Sequence, residues 1–109
     1  MKQFVLVFFL SVFSSQAQLI YSVDYKNQAD VNVFVVEYKS QADLLVFKVE
    51  YKSQAKGNEG FWFFSGYKSQ ADFKVFFADY KSQADLKVFF VDYKSQAGWI
   101  SKEKKHLLY

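Results

Sequence analysis

Hydrophobic and polar residues alternate in blocks along this chain. A polar pentad, Tyr-Lys-Ser-Gln-Ala, occurs six times, and the stretches between its copies are rich in Val and Phe. The pentads begin at Tyr25, Tyr38, Tyr51, Tyr67, Tyr80 and Tyr93, with Asn27 replacing Ser in the first. Successive tyrosines are 13 residues apart, except for a spacing of 16 between the third and the fourth. The apolar stretches are too short for helices and show no 3.6-residue periodicity. Each repeat is therefore predicted to be a strand of about seven or eight residues followed by a polar corner.

Both faces of these predicted strands carry apolar residues. Counting the tyrosine of each pentad as position 0, positions −7, −5 and −3 share one face and positions −4, −2 and 0 share the other. Position −4 is aromatic in every copy, and position −5 is Ile, Val or Trp. A sheet with one face in water would not show this pattern. We predict an all-β domain of about six to seven short strands, covered on both sides for part of their length by other parts of the chain. On this interpretation the tyrosines at position 0 belong to the core rather than to a surface that stacks on sugars.

The pentads contain neither Gly nor Pro, so Ser and Asp side chains are expected to support the corners by bonding to nearby backbone groups. An acidic residue precedes five of the six tyrosines, with Gly66 as the exception, and a Lys follows every one. Asp92 and Lys94 are two residues apart on a strand, so this pair and its equivalents are expected to form exposed ion pairs of at most about 1 kcal/mol. A turn predicted at residues 56–60 separates the repeats 18–55 from the repeats 61–97.

The first 17 residues are predicted to be an export signal. Lys2 supplies the positive charge, residues 4–13 form an apolar run, and Ser15 and Ala17 are the small residues before the cleavage point. The alternative is a buried N-terminal strand. The apolar run is too short to span a bilayer. Cleavage would leave residues 18–109 as a single exported domain, periplasmic or secreted, that is not expected to span a membrane.

Composition narrows the classes of function. The chain has no Cys, which excludes a disulfide, a thiolate metal site and a Cys nucleophile. All 14 basic residues are Lys, whereas bidentate recognition of phosphate or guanine relies on Arg. No nucleic-acid partner is therefore expected, and a monomer is the expected oligomeric state.

The residues that could carry chemistry do not form a recognisable site. His106 is the only His, and it lacks the partners that a base or a metal ligand needs. The acids that recur at the corners could hold calcium, but the Gly-rich turns of calcium-binding repeats are missing; these acids are Asp30, Asp43, Asp72 and Asp85. No catalytic residue, cofactor or metal is predicted. The tail at residues 102–105 is expected to be solvated, with Leu107, Leu108 and Tyr109 pinned against the core.

The repeats resemble a known family, the septoil-knot domain of small bacterial proteins whose chain forms a 7(1) knot. The resemblance covers about Tyr21 to Tyr109 and depends on the pentad copies, the acid that precedes five of them, and the closing Gly98-Trp99 and 105–108 segments. It implies an all-β fold with strands wound around one another in a deeply knotted topology. Asn27, Gly66 and Lys56 depart from the repeat. The resemblance implies no activity and no functional residue.

The function expected from the sequence is that of a non-enzymatic, exported structural or scaffold protein that resists unfolding. The alternative is an extracellular or periplasmic binding module for a glycan or a surface partner. Its candidate patch is the asymmetric midpoint, formed by Asn58, Glu59, Trp62 and Tyr67. An enzyme ranks third. Fibril formation by segments such as FWFF is a further rival, although the charges at every corner oppose it.

Overall fold

The computed structural model describes residues 17–108, which contain seven short strands and no α-helix. The strands are β1 (Leu19–Val23), β2 (Val31–Val35), β3 (Leu44–Lys48), β4 (Phe61–Phe64), β5 (Phe73–Phe77), β6 (Leu86–Phe90) and β7 (Gly98–Trp99). A three-residue 3₁₀ turn follows each of the first six strands, and a longer 3₁₀ helix spans Lys102–Leu108. The all-β prediction is confirmed. The repeat strands have four or five residues, fewer than predicted, because regular pairing stops before the tyrosine.

The predicted export signal lies outside the described residues, apart from Ala17. In residues 17–108 no helix has the length and apolar character needed to cross a bilayer.

The first six strands are parallel to one another and close into a barrel. Their order around it is β4-β1-β5-β2-β6-β3, and β3 pairs with β4 to complete the circle. Each strand from the first three repeats therefore lies between two strands from the last three. β7 adds to the outside of β3 in the antiparallel direction. Strands that are neighbours in sequence are not neighbours in space, a feature that the repeat pattern alone does not reveal.

The register of the barrel is uniform. Ile20, at position −5, lies beside Phe73, at position −7 of the next strand, and Val33 lies beside Leu86 in the same relation. All six pairings carry this two-residue offset, so one circuit of the barrel gives a shear of twelve. Because the offset is equal at every step, residues with the same repeat position lie at one height and form a ring around the barrel axis.

The barrel interior is filled by these rings. The −5 ring is completely buried, and each of its six members has 0% exposure: Ile20, Val33, Val46, Trp62, Val75 and Val88. The −7 ring below it is also mostly buried, with Val31, Leu44 and Leu86 at 1% or less. Five β-branched residues and one Trp in a single layer fill a narrow parallel barrel as a packed core.

The outer face is covered over only part of each strand, as the sequence indicated. Four of the six residues at position −2 are buried, those at position −4 are half-buried, and the tyrosines at position 0 are exposed. The prediction that these tyrosines belong to the core is wrong. Five of the six corners pack against the next strand around the barrel, which covers the wall but leaves the ring at position 0 outside it.

Gly60 allows the chain to enter β4 after the turn at residues 56–60, which we call the midpoint turn. Its φ of 93° is in the region that favours glycine. A Cβ here would collide with the carbonyl oxygen of Leu45, and the Gly60 carbonyl accepts a hydrogen bond from Phe47 N–H at 2.8 Å. The insertion at residues 56–60 thus ends in a close backbone contact that closes the β3–β4 seam.

Candidate functional site

The six corners have the same backbone conformation. Each tyrosine is extended, with φ between −131° and −126° and ψ between 123° and 145°. Its carbonyl accepts a hydrogen bond from the Gln N–H three residues later at 3.0 or 3.1 Å, which forms the 3₁₀ turn. No described residue other than Gly has a positive φ. The turn therefore needs neither Gly nor Pro, which explains how the pentad can be repeated without them.

The six tyrosines form an exposed ring that we call the tyrosine belt: Tyr25, Tyr38, Tyr51, Tyr67, Tyr80 and Tyr93. Their exposed fractions lie between 63% and 69%. The Lys, Ser (Asn27 in the first corner) and Gln that follow each tyrosine are exposed as well. Adjacent corners touch where Lys52 Nζ donates to Gln70 Oε1 at 3.1 Å. The belt is thus a repeated surface of phenol, ammonium, hydroxyl and amide groups.

The corner aspartates join each corner to the neighbouring strand. Asp30 N–H donates to the Lys74 carbonyl at 2.7 Å, and Lys74 N–H donates back to Asp30 Oδ2 at 2.8 Å. Asp43, Asp72 and Asp85 make the same reciprocal pair with the residue at position −6 of the strand beside them. The prediction that these side chains bond to nearby backbone is wrong, since their partners are 44 or 53 residues away. Each aspartate fixes the register between two strands.

The carboxylates are engaged in these bonds rather than gathered around one point. Among residues 17–108, no group of three or more His, Cys, Asp or Glu side chains is placed to hold a metal ion. The expected ion pair between Asp92 and Lys94 does not form. Lys94 Nζ instead lies 5.5 Å from the centre of the Phe61 ring, a cation–π distance.

Asp43 differs from the other corner aspartates because the C-terminal segment covers it. It is 6% exposed. Ser101 Oγ donates to Asp43 Oδ1 at 2.8 Å, and Lys104 Nζ donates to Oδ2 at 3.2 Å. Burial raises the pKa of the Asp43 carboxyl, but hydrogen bonds from Lys87 N–H, Ser101 and Lys104 together lower the pKa below its usual 3.8. The carboxylate therefore acts as a latch for the C-terminal segment.

Asn58 organises the end of the barrel where the strands begin. Its Nδ2 donates to the Lys105 carbonyl at 3.0 Å, and its Oδ1 accepts from Gln18 Nε2 at 2.7 Å. Trp99 Nε1 donates to the Asn58 carbonyl at 2.8 Å. Leu108, 1% exposed, packs against the core. The terminal 3₁₀ helix and the midpoint turn thus close this end together.

The predicted midpoint patch is not assembled as one surface. Trp62 has 0% exposure in the −5 ring, and Asn58 is 6% exposed in the closed end. Glu59 is exposed, and its Oε2 lies 3.5 Å from Lys105 Nζ. Tyr67 is 69% exposed, but it belongs to the tyrosine belt, beyond the other end of β4. A partner in solution can reach only two of the four residues, and they lie at opposite ends of the strand.

The tail is less solvated than expected. Lys104 and Lys105 are half-buried and paired with Asp43 and Glu59. Leu107 and Leu108 pack against the core as predicted, and Tyr109 lies outside the described residues. His106 is exposed, with Nδ1 2.9 Å from the Glu103 carbonyl oxygen.

The opposite end of the barrel is lined by aromatic rings. The −3 ring alternates Phe64, Phe77 and Phe90 with smaller or charged residues. Lys48 Nζ lies 5.5 Å from the Phe64 ring centre and 5.2 Å from that of Phe90. An ammonium over two ring faces is a favourable cation–π arrangement. The protein's own Lys48 therefore occupies the position that an external cation would seek.

The sequence did contain a signal for the exposed tyrosines. Position 0 is Tyr in all six copies, although Phe outnumbers Tyr 14 to 8 in the chain. Position −4, on the same strand face, is Phe in five copies. A buried site without a hydroxyl partner would accept Phe, whereas a site at water favours the phenol. No comparable signal separates Asp43 from the other corner aspartates, because its distinguishing partners come from the tail.

These features define a repeat protein built as a closed parallel β-barrel, with equivalent corners held by aspartate clamps. A family model described as the 7(1) septoil knot domain matches residues 17–100. The chain therefore belongs to the septoil knot domain family, which confirms the resemblance noted in the sequence. No curated protein and no solved structure matches the chain. The matched range ends before the terminal 3₁₀ helix.

Proposed function

We propose that this protein is a non-enzymatic, exported scaffold protein whose useful property is resistance to unfolding and proteolysis outside the cytoplasm. The observation that carries the proposal is the alternation of the two chain halves around one barrel. β5, for example, has β1 on one side and β2 on the other. A strand cannot leave without breaking two ladders, and its own corner packs against one of those two neighbouring strands. Local fraying therefore exposes little backbone to a protease.

The family's 7(1) knot is part of this proposal. Two halves that alternate around one barrel are wound around each other, and a knotted chain must reverse that winding to escape. The hydrogen bonds of the corner aspartates also oppose unfolding, since each joins a corner to a strand residue that is 44 or 53 positions away in the sequence. Durability of this kind is a rate rather than an equilibrium free energy.

Protease survival tests the proposal directly. The folded protein is incubated with a broad-specificity protease, and the intact mass is followed over days. We expect slow first-order loss that stops accelerating once protease is in excess, because unfolding then limits cleavage. The matched control is Val33→Ala, which hollows the −5 ring and should be degraded faster. Cleavage of the native chain within minutes, at a rate proportional to protease concentration, would contradict the proposal.

Export is tested separately, by mass. Cleavage after Ala17 would leave Gln18 as the first residue, and Gln18 is 1% exposed with its N–H 3.0 Å from the Ala55 carbonyl oxygen. The first residue of the processed chain would thus be the first buried residue of the barrel. We expect the extracytoplasmic form to lack the mass of residues 1–17. A full-length mass in that fraction would contradict processing at this bond.

A further inference from the structure

The folded core does not account for the tyrosine belt. Each of these tyrosines is roughly two-thirds exposed, so it buries far less apolar surface than a residue of the −5 ring beneath it. None of the hydrogen bonds within residues 17–108 uses a hydroxyl of these tyrosines. The backbone of the corner is stabilised by main-chain bonds that any residue at position 0 could make. Six identical exposed phenols therefore point to contact with something outside the chain.

The belt presents its tyrosines at regular intervals. The uniform offset of the six strands, together with the shared backbone conformation of the corners that follow them, places the tyrosines on one ring, in the order Tyr25, Tyr80, Tyr38, Tyr93, Tyr51 and Tyr67. Strands about 4.8 Å apart and offset by two residues of about 3.3 Å place equivalent wall positions about 8 Å apart. Such a periodic array suits a ligand that is itself periodic and can engage several corners at once.

The charge of each corner restricts the ligand. Five of the six corners have an exposed acid immediately before the tyrosine and an exposed Lys immediately after it. Their charges cancel, so a polyanion would meet a carboxylate beside nearly every ammonium. Lys, Asp and Glu are also depleted in the cores of protein–protein interfaces. What remains at each corner is a flat aromatic face flanked by uncharged Ser and Gln groups that donate and accept hydrogen bonds.

We propose that the tyrosine belt binds an uncharged polysaccharide, with sugar rings stacking on successive tyrosines and their hydroxyls bonding to the Ser and Gln side chains. The belt replaces the midpoint patch as the glycan surface. This inference goes beyond the scaffold function. Either proposal can fail without the other, because a barrel that resists unfolding need not bind a ligand at the tyrosine belt.

Retention on immobilised polymers of known composition tests the proposal. The probes are cellulose, chitin and amylose, which are uncharged, and polygalacturonate, which is anionic. We expect the native chain to be retained on at least one uncharged polymer and to resist elution by salt. Two triple variants report on the belt: Tyr25→Ala/Tyr38→Ala/Tyr51→Ala and Tyr67→Ala/Tyr80→Ala/Tyr93→Ala. Each should lose affinity to a similar extent, on the order of 10- to 100-fold, because multivalent contacts multiply.

Two controls separate stacking from general surface effects. The corresponding Tyr→Phe triple variants keep the aromatic face and should bind within about threefold of the native chain. Lys102→Ala, at an exposed residue away from the belt, should bind like the native chain. Guanidinium midpoints verify that each variant is folded. Retention on polygalacturonate alone, no retention on any uncharged polymer, or undiminished binding by both folded Ala variants would overturn the proposal.

Discussion

Asp43 receives three side-chain and backbone donors from two parts of the chain. Lys87 N–H lies 2.9 Å from Oδ2, while Ser101 and Lys104 reach it from the C-terminal segment. Its backbone carbonyl also accepts the N–H groups of Ile100 and Ser101, at 2.8 and 3.0 Å. The Asp43 carboxylate thus holds both its neighbouring strand and the terminal segment. Among the other three corner aspartates, Asp85 also contacts the terminal segment, but only through its backbone carbonyl, which lies 3.4 Å from Lys104 Nζ.

Replacing Asp43 by Asn should lower the free energy of unfolding by about 2–3 kcal/mol near neutral pH, because a buried charge-assisted acceptor becomes a neutral amide. Guanidinium titration measures the loss. Asp30→Asn is the matched control at an exposed corner, and it should cost less than about 1 kcal/mol. Equal costs at the two corners would contradict the latch.

The same latch should give an acid-dependent stability. The folded-state pKa of Asp43 is below its usual 3.8, so the ionised carboxylate stabilises the fold fully above that value. The contribution should disappear as the pH falls from about 3.8 through the lower folded pKa. The difference between the native chain and Asp43→Asn should narrow over that range. A constant difference down to the acid limit of folding would be inconsistent with this role.

At the scale of the element, the repeats are equivalent because every strand meets the same two-residue offset and the same corner. Substitutions at one ring position should then have equal effects. Val33→Ala, Val75→Ala and Val88→Ala should each cost about 2–3 kcal/mol, since each removes two methyl groups from a 0% exposed site. Guanidinium unfolding measures all three. A spread wider than about 1 kcal/mol would show that the ring is not equivalent.

The corner lysines provide the surface counterpart. Lys39→Ala and Lys81→Ala should change stability by less than about 1 kcal/mol, because both side chains are exposed. Lys94→Ala should cost slightly more, by about 0.5–1 kcal/mol, since its ammonium lies over the Phe61 ring. A much larger loss at Lys39 or Lys81 would identify that corner as distinct from its copies.

The repeat unit could be predicted from the sequence, but only some of the contacts around it could. Alternation correctly assigned positions −7 and −5 to one buried face, because face is a local property of an extended strand. It could not say which chain segments cover the other face, so it placed Tyr25 and its copies in the core. The hydrogen bond between Asp30 and Lys74, which are 44 residues apart, could not be predicted either. The sequence of one repeat does not indicate which other repeat lies beside it in space.

At the scale of the whole molecule, the interleaved order is the property that the sequence pattern leaves open. A repeat of 13 residues is compatible with stacking in sequence order as well as with alternation of two halves. In the structure the two halves alternate around the barrel. Each ladder therefore joins residues far apart in the chain, such as Ile20 and Phe73. Such contacts make contact order high and folding slow. The transition state for unfolding must then disrupt many long-range contacts together.

If the interleaved barrel is kinetically stable, it must unfold slowly, and this rate can be measured. Trp62, buried with 0% exposure in the −5 ring, and the half-buried Trp99 report loss of the core by their fluorescence after dilution into concentrated guanidinium, with rates extrapolated to water. We expect a rate constant at or below the slow end for small domains, on the order of 10⁻⁶ per second. An extrapolated half-life of seconds would contradict it, because the interleaved barrel would then open as readily as an ordinary small domain.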